Sequence, residues 1–146
     1  MQGQSRFGIA RMYGIVFGIT YIAVALIEDI LGSSGLSIGG TLVLKVTPQQ
    51  NAIHWAVGLV VLISALIGEL AATWVARIVG VVFVAITVWG FVARDSLGSL
   101  LGFKGPLPWS YNIVHLVTAA AALFAGFAAS RVYGENEQQT GLRRAA

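Results

Sequence analysis

Ala10-Arg11-Met12-Tyr13-Gly14-Ile15-Val16-Phe17 recurs as Ala76-Arg77-Ile78-Val79-Gly80-Val81-Val82-Phe83, with Ala-Arg-x-x-Gly-x-Val-Phe kept in both copies. In the same register Glu28-Asp29-x-Leu31-Gly32-Ser33 recurs as Arg94-Asp95-x-Leu97-Gly98-Ser99. Further along, Asn51-x-x-His54 recurs as Asn112-x-x-His115, and these are the chain's two histidines. Each unit is a pair of apolar segments long enough to cross a bilayer, so the chain reads as a duplicated transmembrane hairpin. The expected fold is an all-α integral membrane protein, with four transmembrane helices arranged as two parallel-repeat hairpins.

Composition agrees. Of 146 residues, 57% are hydrophobic and 10% charged, where a soluble domain carries about 25% charged residues. The net charge of +3 comes from few groups. With no basic run outside the short tail, it is no footprint for nucleic acid. The chain has no cysteine, which excludes disulfides, thiolate metal sites, iron–sulfur clusters and c-type haem attachment. Arg6, Arg11 and the apolar run up to Ala23-Val24-Ala25 imitate a cleavable leader. The internal copy of that segment argues that it is a retained helix.

A hydrocarbon core about 30 Å thick needs about 20 apolar residues in a helix. Four segments satisfy this: 7–31, 52–72, 74–93 and 111–130. In lipid each backbone amide must be paired inside the structure, which favours helices. The short alternating strands of a β-barrel are not seen. The transmembrane domain is thus 1–130, with repeat A over 7–72 and repeat B over 74–130. Residues 131–146 are expected to be a disordered polar cytoplasmic tail.

Arg6, Arg11, Arg77, Arg131, Arg143 and Arg144 fall on one side of these spans. Lys45, Arg94 and Lys104 fall on the other. The bias puts both termini in the cytoplasm. Both hairpins then enter with the same orientation, related by a pseudo-twofold axis along the membrane normal. Gly14, Gly18 and Gly80 are candidates for the contact between the two copies, because small residues let helices approach closely. Two outer loops each carry an apolar lip followed by proline. One is Leu42-Val43-Leu44-Lys45-Val46 with Pro48, and the other is Leu100-Leu101-Gly102-Phe103-Lys104 with Pro106 and Pro108. Both lips are expected to rest on the membrane surface.

This layout gathers the repeated polar residues at one depth: Glu28, Asp29, Asn51, His54, Arg94, Asp95, Asn112 and His115. They admit two readings. Asn51 and Asn112 could cap the helices that follow the prolines, with the histidines bonding a neighbouring helix or the headgroup zone. Alternatively the ring is a site, since ionisable residues within spans are functional candidates. The histidines could then share a metal ion, ligate a haem from both faces or shuttle protons. Glu28 and Arg94 occupy equivalent positions and could pair across the axis. Arg11 and Arg77 read as positive-inside anchors with snorkelling side chains. Glu69 has no repeat counterpart and is expected to pair with Arg77 across the short inner loop.

Four spans, an apolar lip, proline and Asn-x-x-His ahead of the second and fourth spans form a pattern. It resembles the bacterial four-helix membrane family catalogued as domain of unknown function 4383. The resemblance covers roughly residues 7–130 and rests on Asn51-x-x-His54-x-x-x-Gly58 and Asn112-x-x-His115, where Ala119 replaces the glycine. It implies a small multi-pass protein of the bacterial plasma membrane and supplies no activity or cofactor. No Gly-x-Ser-x-Gly elbow, His-Glu-x-x-His helix or phosphate loop is present, and no continuous polar stripe suggests a channel. The expected function is a non-enzymatic scaffold or accessory subunit. Its partners would be the bilayer and either copies of itself or a larger membrane complex, with no nucleic acid. The alternative is a metal-, haem- or proton-handling protein using the polar ring around His54 and His115.

Overall fold

Long runs of Val, Ile, Leu, Ala and Gly without interior proline form the helices of this fold. The computed structural model describes residues 8–31, 36–38, 41–44 and 46–145, with side-chain surroundings for 8–31 and 46–128. In chain order the elements are α1 (Ile9–Leu31), β1 (Leu36–Ile38), β2 (Thr41–Leu44), α2 (Pro48–Ile67), α3 (Glu69–Val92), α4 (Arg94–Leu100) and α5 (Trp109–Ala145). Four helical stretches are long and apolar enough to cross a membrane: Ile9–Leu31, Pro48–Ile67, Glu69–Val92 and Trp109–Ala128. Large apolar side chains such as Ile67, Leu70, Val92 and Phe124 point outward. A soluble protein rarely shows so much continuous apolar surface, and here lipid covers it.

The most extensive pairings are α1 with α2 and α3 with α5. Glycine makes both possible. A side-chain carbon at Gly18 would lie 2.9 Å from the Leu62 backbone nitrogen, and one at Gly80 would lie 3.0 Å from that of Leu123. Gly14 packs on Ala65 in the same way. The three glycines expected between the two hairpins therefore lie within them instead. The arginines recur in the same pairings: Arg11 Nε donates to Ala65 O at 2.9 Å and Arg77 Nε to Gly126 O at 3.0 Å. Arg77 also lies against the rings of Trp74 and Phe127, each 5.1 Å from its guanidinium carbon. Both side chains thus bind a partner helix as well as marking the end of a span.

Between the hairpins the core is small-residue packing around Tyr13, Val61, Ala76, Ala122 and Ala125, with a second cluster of Ala10, Ala65 and Ala72. The Tyr13 hydroxyl is buried without a partner, whereas three other buried hydroxyls are satisfied inside their own helices: Ser64 to Val61 O, Thr73 to Glu69 O and Thr87 to Phe83 O, each at 2.7 Å. That solution is the one lipid demands, since no water reaches these groups.

Several boundaries differ from expectation. The second span stops at Ile67, not Ala72, because Gly68 adopts φ 153° and ψ 176°, a conformation essentially confined to glycine. Residues 69–72 begin α3. The first lip is not featureless: β1 and β2 pair antiparallel, with Ser37 opposite Leu42 and Ile38 opposite Thr41. The fold is therefore all-α in its spans, with a small β-ribbon beside them. The second lip is partly folded into the protein, with Leu101 buried and Leu100 exposed. Ala93 leaves helical geometry at φ −139°, α4 turns across the end of the bundle, and Leu97, Leu101 and Leu107 bury together. Close backbone approach between Gly98 and Gly105 closes that turn. The tail expected to be disordered continues α5 as helix to Ala145. It has no proline, and its Glu, Gln, Arg, Leu and Ala are good helix formers that offset Gly134 and Gly141.

Candidate functional site

Three local features build the distal end of the bundle, where α1 and α3 finish and α2 and α5 begin. Thr47 caps α2. Its hydroxyl accepts from Gln50 N at 3.2 Å while Gln50 Oε1 accepts from Thr47 N at 3.1 Å, with Pro48 in the first helical position. This is a capping box, so the capping role expected of Asn51 belongs to Thr47. The same hydroxyl donates to the Leu101 carbonyl, which ties the start of α2 to the segment that crosses the bundle after α4. Arg94 fixes the far end of that segment, donating from Nε and Nη2 to Leu107 O at 3.0 and 2.8 Å. Its guanidinium carbon lies 4.2 Å from the Trp109 ring centroid.

Under this cover lies a cavity of about 190 Å³ between α1, α2, α3 and α5. Its walls are Val46, Ile53, Phe83, Ile86, Leu101 and Val114, with Tyr21, Gln50, Ser110, Tyr111, His54 and His115 supplying the polar groups. The two histidines come from different hairpins, and two aromatic rings stand between them. Centroid distances run 5.5 Å from His54 to Tyr21, 6.4 Å from Tyr21 to Phe83 and 5.7 Å from Phe83 to His115. Tyr21 is steadied by its hydroxyl, 3.5 Å from Thr118 Oγ1. In both imidazoles Nδ1 is buried and has no hydrogen-bond partner.

The rest of the eight-membered polar ring is dispersed. Asp29 is exposed and binds its neighbours on α2, accepting from Asn51 Nδ2 at 2.6 Å and Trp55 Nε1 at 3.0 Å. No equivalent bond forms in the second hairpin, because α3 ends at Val92 and the start of α4 carries Asp95 to an exposed position. Asn112 is 1% exposed, and neither of its amide atoms has a hydrogen-bond partner. It fills the space left by Gly90, where any side chain would collide with the amide. It lies inside the first turn of α5, which begins at Trp109, so it does not cap that helix. Glu28 is buried with Oε2 unpartnered, and Arg94 is engaged with Leu107 and Trp109. The expected Glu28–Arg94 pair does not form.

Glu69 was also misjudged from sequence. Its buried carboxylate accepts from the backbone amides of Ala10 at 2.9 Å and Arg11 at 3.0 Å, so it closes the N-terminus of α1. The free amides and positive dipole end of a helix favour a carboxylate there. Gly8 leaves room for it, since a side chain at that position would overlap the carboxylate. Sequence reading also missed Tyr21, Gln50, Phe83 and Ser110 as cavity residues. Only Phe83 carried a signal, through its place in the repeated octapeptide.

Among the described residues no group of three His, Asp or Glu side chains converges where a metal ion could be held. What the arrangement offers is an apolar chamber with imidazoles on two walls and no charged residue in its lining. Fold and site define a four-span helical membrane protein with a small, partly open chamber at one end. The family model described as Domain of unknown function (DUF4383) matches residues 35–128, and the chain belongs to that family. No curated protein and no solved structure matches the chain.

Proposed function

We propose that this protein is a non-enzymatic accessory protein of a bacterial inner membrane, with both termini cytoplasmic, and that its working part is the chamber between the hairpins. One observation carries the reading: the chain's two histidines, related by the internal repeat, both line that chamber. The six-to-three charge bias supports placing the chamber on the outer side. The recurrence of the Arg11–Ala65 bond as Arg77–Gly126 supports two copies of one hairpin. A scaffold held to its partners by small-residue faces has less support, because Gly14, Gly18 and Gly80 are occupied within the hairpins. Association with copies of itself or with a larger complex would use the apolar outer faces.

The test is what the protein carries when purified in lipid nanodiscs. The reading expects a small organic molecule released on denaturation of the wild type and absent from the His54→Ala/His115→Ala double variant. A stoichiometric haem or transition metal, lost in the same variant, would replace it with the cofactor reading. Identical extracts from both proteins would contradict the role given to the chamber.

A further inference from the structure

We propose that the chamber is filled sideways from the bilayer, past Ile53 and Val114, by a small, neutral, hydrocarbon-like molecule dissolved there. This rests on the chamber being the working part of the protein, and it names the class of ligand and its route.

The exposure of the lining locates the opening. At the end of the bundle, Val46 and Leu101 are buried at 3% and 7%. The bond from Thr47 to the Leu101 carbonyl holds together the two segments that carry them. The exposed lining residues are Ile53 on α2 and Ser110 and Val114 on α5. Ser110 and Val114, one helical turn apart, share a face of α5. Ile53 and Val114 each lie in the second turn of a helix long and apolar enough to span the membrane. Those two helices come from different hairpins and barely meet, so no close helix packing seals the space between them. The rim is thus continuous with the apolar surface that lipid covers, and a molecule reaches it by moving within the bilayer.

Charge sets the first limit on the ligand. With no Asp, Glu, Lys or Arg in the lining, an ion would be buried without a counter-charge, which is costly. Two of the polar lining groups are already engaged: Gln50 Oε1 accepts from Thr47 N, and the Tyr21 hydroxyl meets Thr118 Oγ1. Size sets the second limit. At about 190 Å³ the space is a little larger than a cavity of about 150 Å³ that takes up benzene. It lies below the roughly 300 Å³ where drug-sized sites begin. Depth sets the third. The lining residues of α2 and α5 fall in the first two turns of their helices, within about 10 Å of the helix starts. Lipid tails end near the middle of a hydrocarbon core about 30 Å thick, well below that level. A whole small molecule fits the position better than the folded-back end of a membrane lipid.

The experiment uses the full chain in lipid nanodiscs and ¹⁹F spectra of three probes. These are fluorobenzene, the anion 4-fluorobenzoate and a phosphatidylcholine fluorinated at the end of one chain. Fluorobenzene alone should give a saturable bound signal, displaced by benzene and lost in Ile86→Trp, which fills the space from α3. The Ile53→Ala/Val114→Ala variant widens the rim. It should raise the association and dissociation rates of fluorobenzene together by about tenfold, a barrier lower by about 1.4 kcal/mol. Unchanged rates in that variant would overturn the lateral route. A saturable signal from the anion or from the lipid chain would overturn the class of ligand. Either result would leave the chamber as a binding site. Saturable binding of none of the three, or a fluorobenzene signal untouched by Ile86→Trp, would overturn both the proposal and the role given to the chamber.

Discussion

At the scale of single residues, the polar side chains that hold this bundle act on helix ends, and they are not the ones the repeat draws attention to. Glu69 serves two amides of α1 from the start of α3. Hydrogen bonds to a charged group contribute about 1.5–3 kcal/mol, so Glu69→Ala should lower stability by that order in reversible unfolding from mixed micelles. Glu69→Gln keeps one acceptor oxygen and should lose less; an Ala variant as stable as wild type would remove Glu69 from this role. Thr47 gives a second contrast. Thr47→Ala removes both the α2 cap and the bond to Leu101 and should cost about 1 kcal/mol, within the usual 0.5–2. Asn51→Ala leaves the cap in place and loses only its exposed bond to Asp29, so the same unfolding measurement should place it well below Thr47→Ala. The sequence could not rank these two residues. Both precede or open a helix after the lip, and only the position of Pro48 in the first turn distinguishes the cap.

At the scale of elements, the hairpins are pairs of helices brought together over glycine. Gly18→Ala would press a methyl against the Leu62 backbone at 2.9–3.0 Å, where neither partner can rotate away. Overpacking of this kind costs about 1–3 kcal/mol. Gly105→Ala, with nothing within 4 Å, is the matched control and should be neutral. Gly68→Ala should cost a further kind of strain, about 1–3 kcal/mol, because φ 153° is closed to alanine. Thermal melts of the three variants in the same detergent check the order. The four spans were legible because length and hydropathy alone specify a helix in lipid. Their ends were not. The break at Gly68 depends on one backbone angle, and the turn into α4 depends on burying Leu97, Leu101 and Leu107 together, a tertiary gain that no local pattern announces. The symmetric ring of eight failed for the same reason: once α3 stops at Val92, Arg94 and Asp95 no longer occupy the places of Glu28 and Asp29. The histidines could be read because both copies keep them. Tyr21 could not, since its repeat counterpart is Thr87.

At the scale of the whole molecule, apolar faces meet lipid, polar side chains gather at both ends of the bundle, and the chamber lies at only one of them. We propose that this end, with its chamber and the segment folded over it, lies outside the cytoplasm. The charge bias supports that placement, which is open to a direct reading because the chain has no cysteine of its own. Lys104 is exposed on the covering segment, between α4 and α5. A Lys104→Cys variant should react with a membrane-impermeant maleimide added to intact spheroplasts, with labelling complete before the membrane is broken. Labelling that appears only after permeabilisation would put the chamber on the cytoplasmic side and contradict the account.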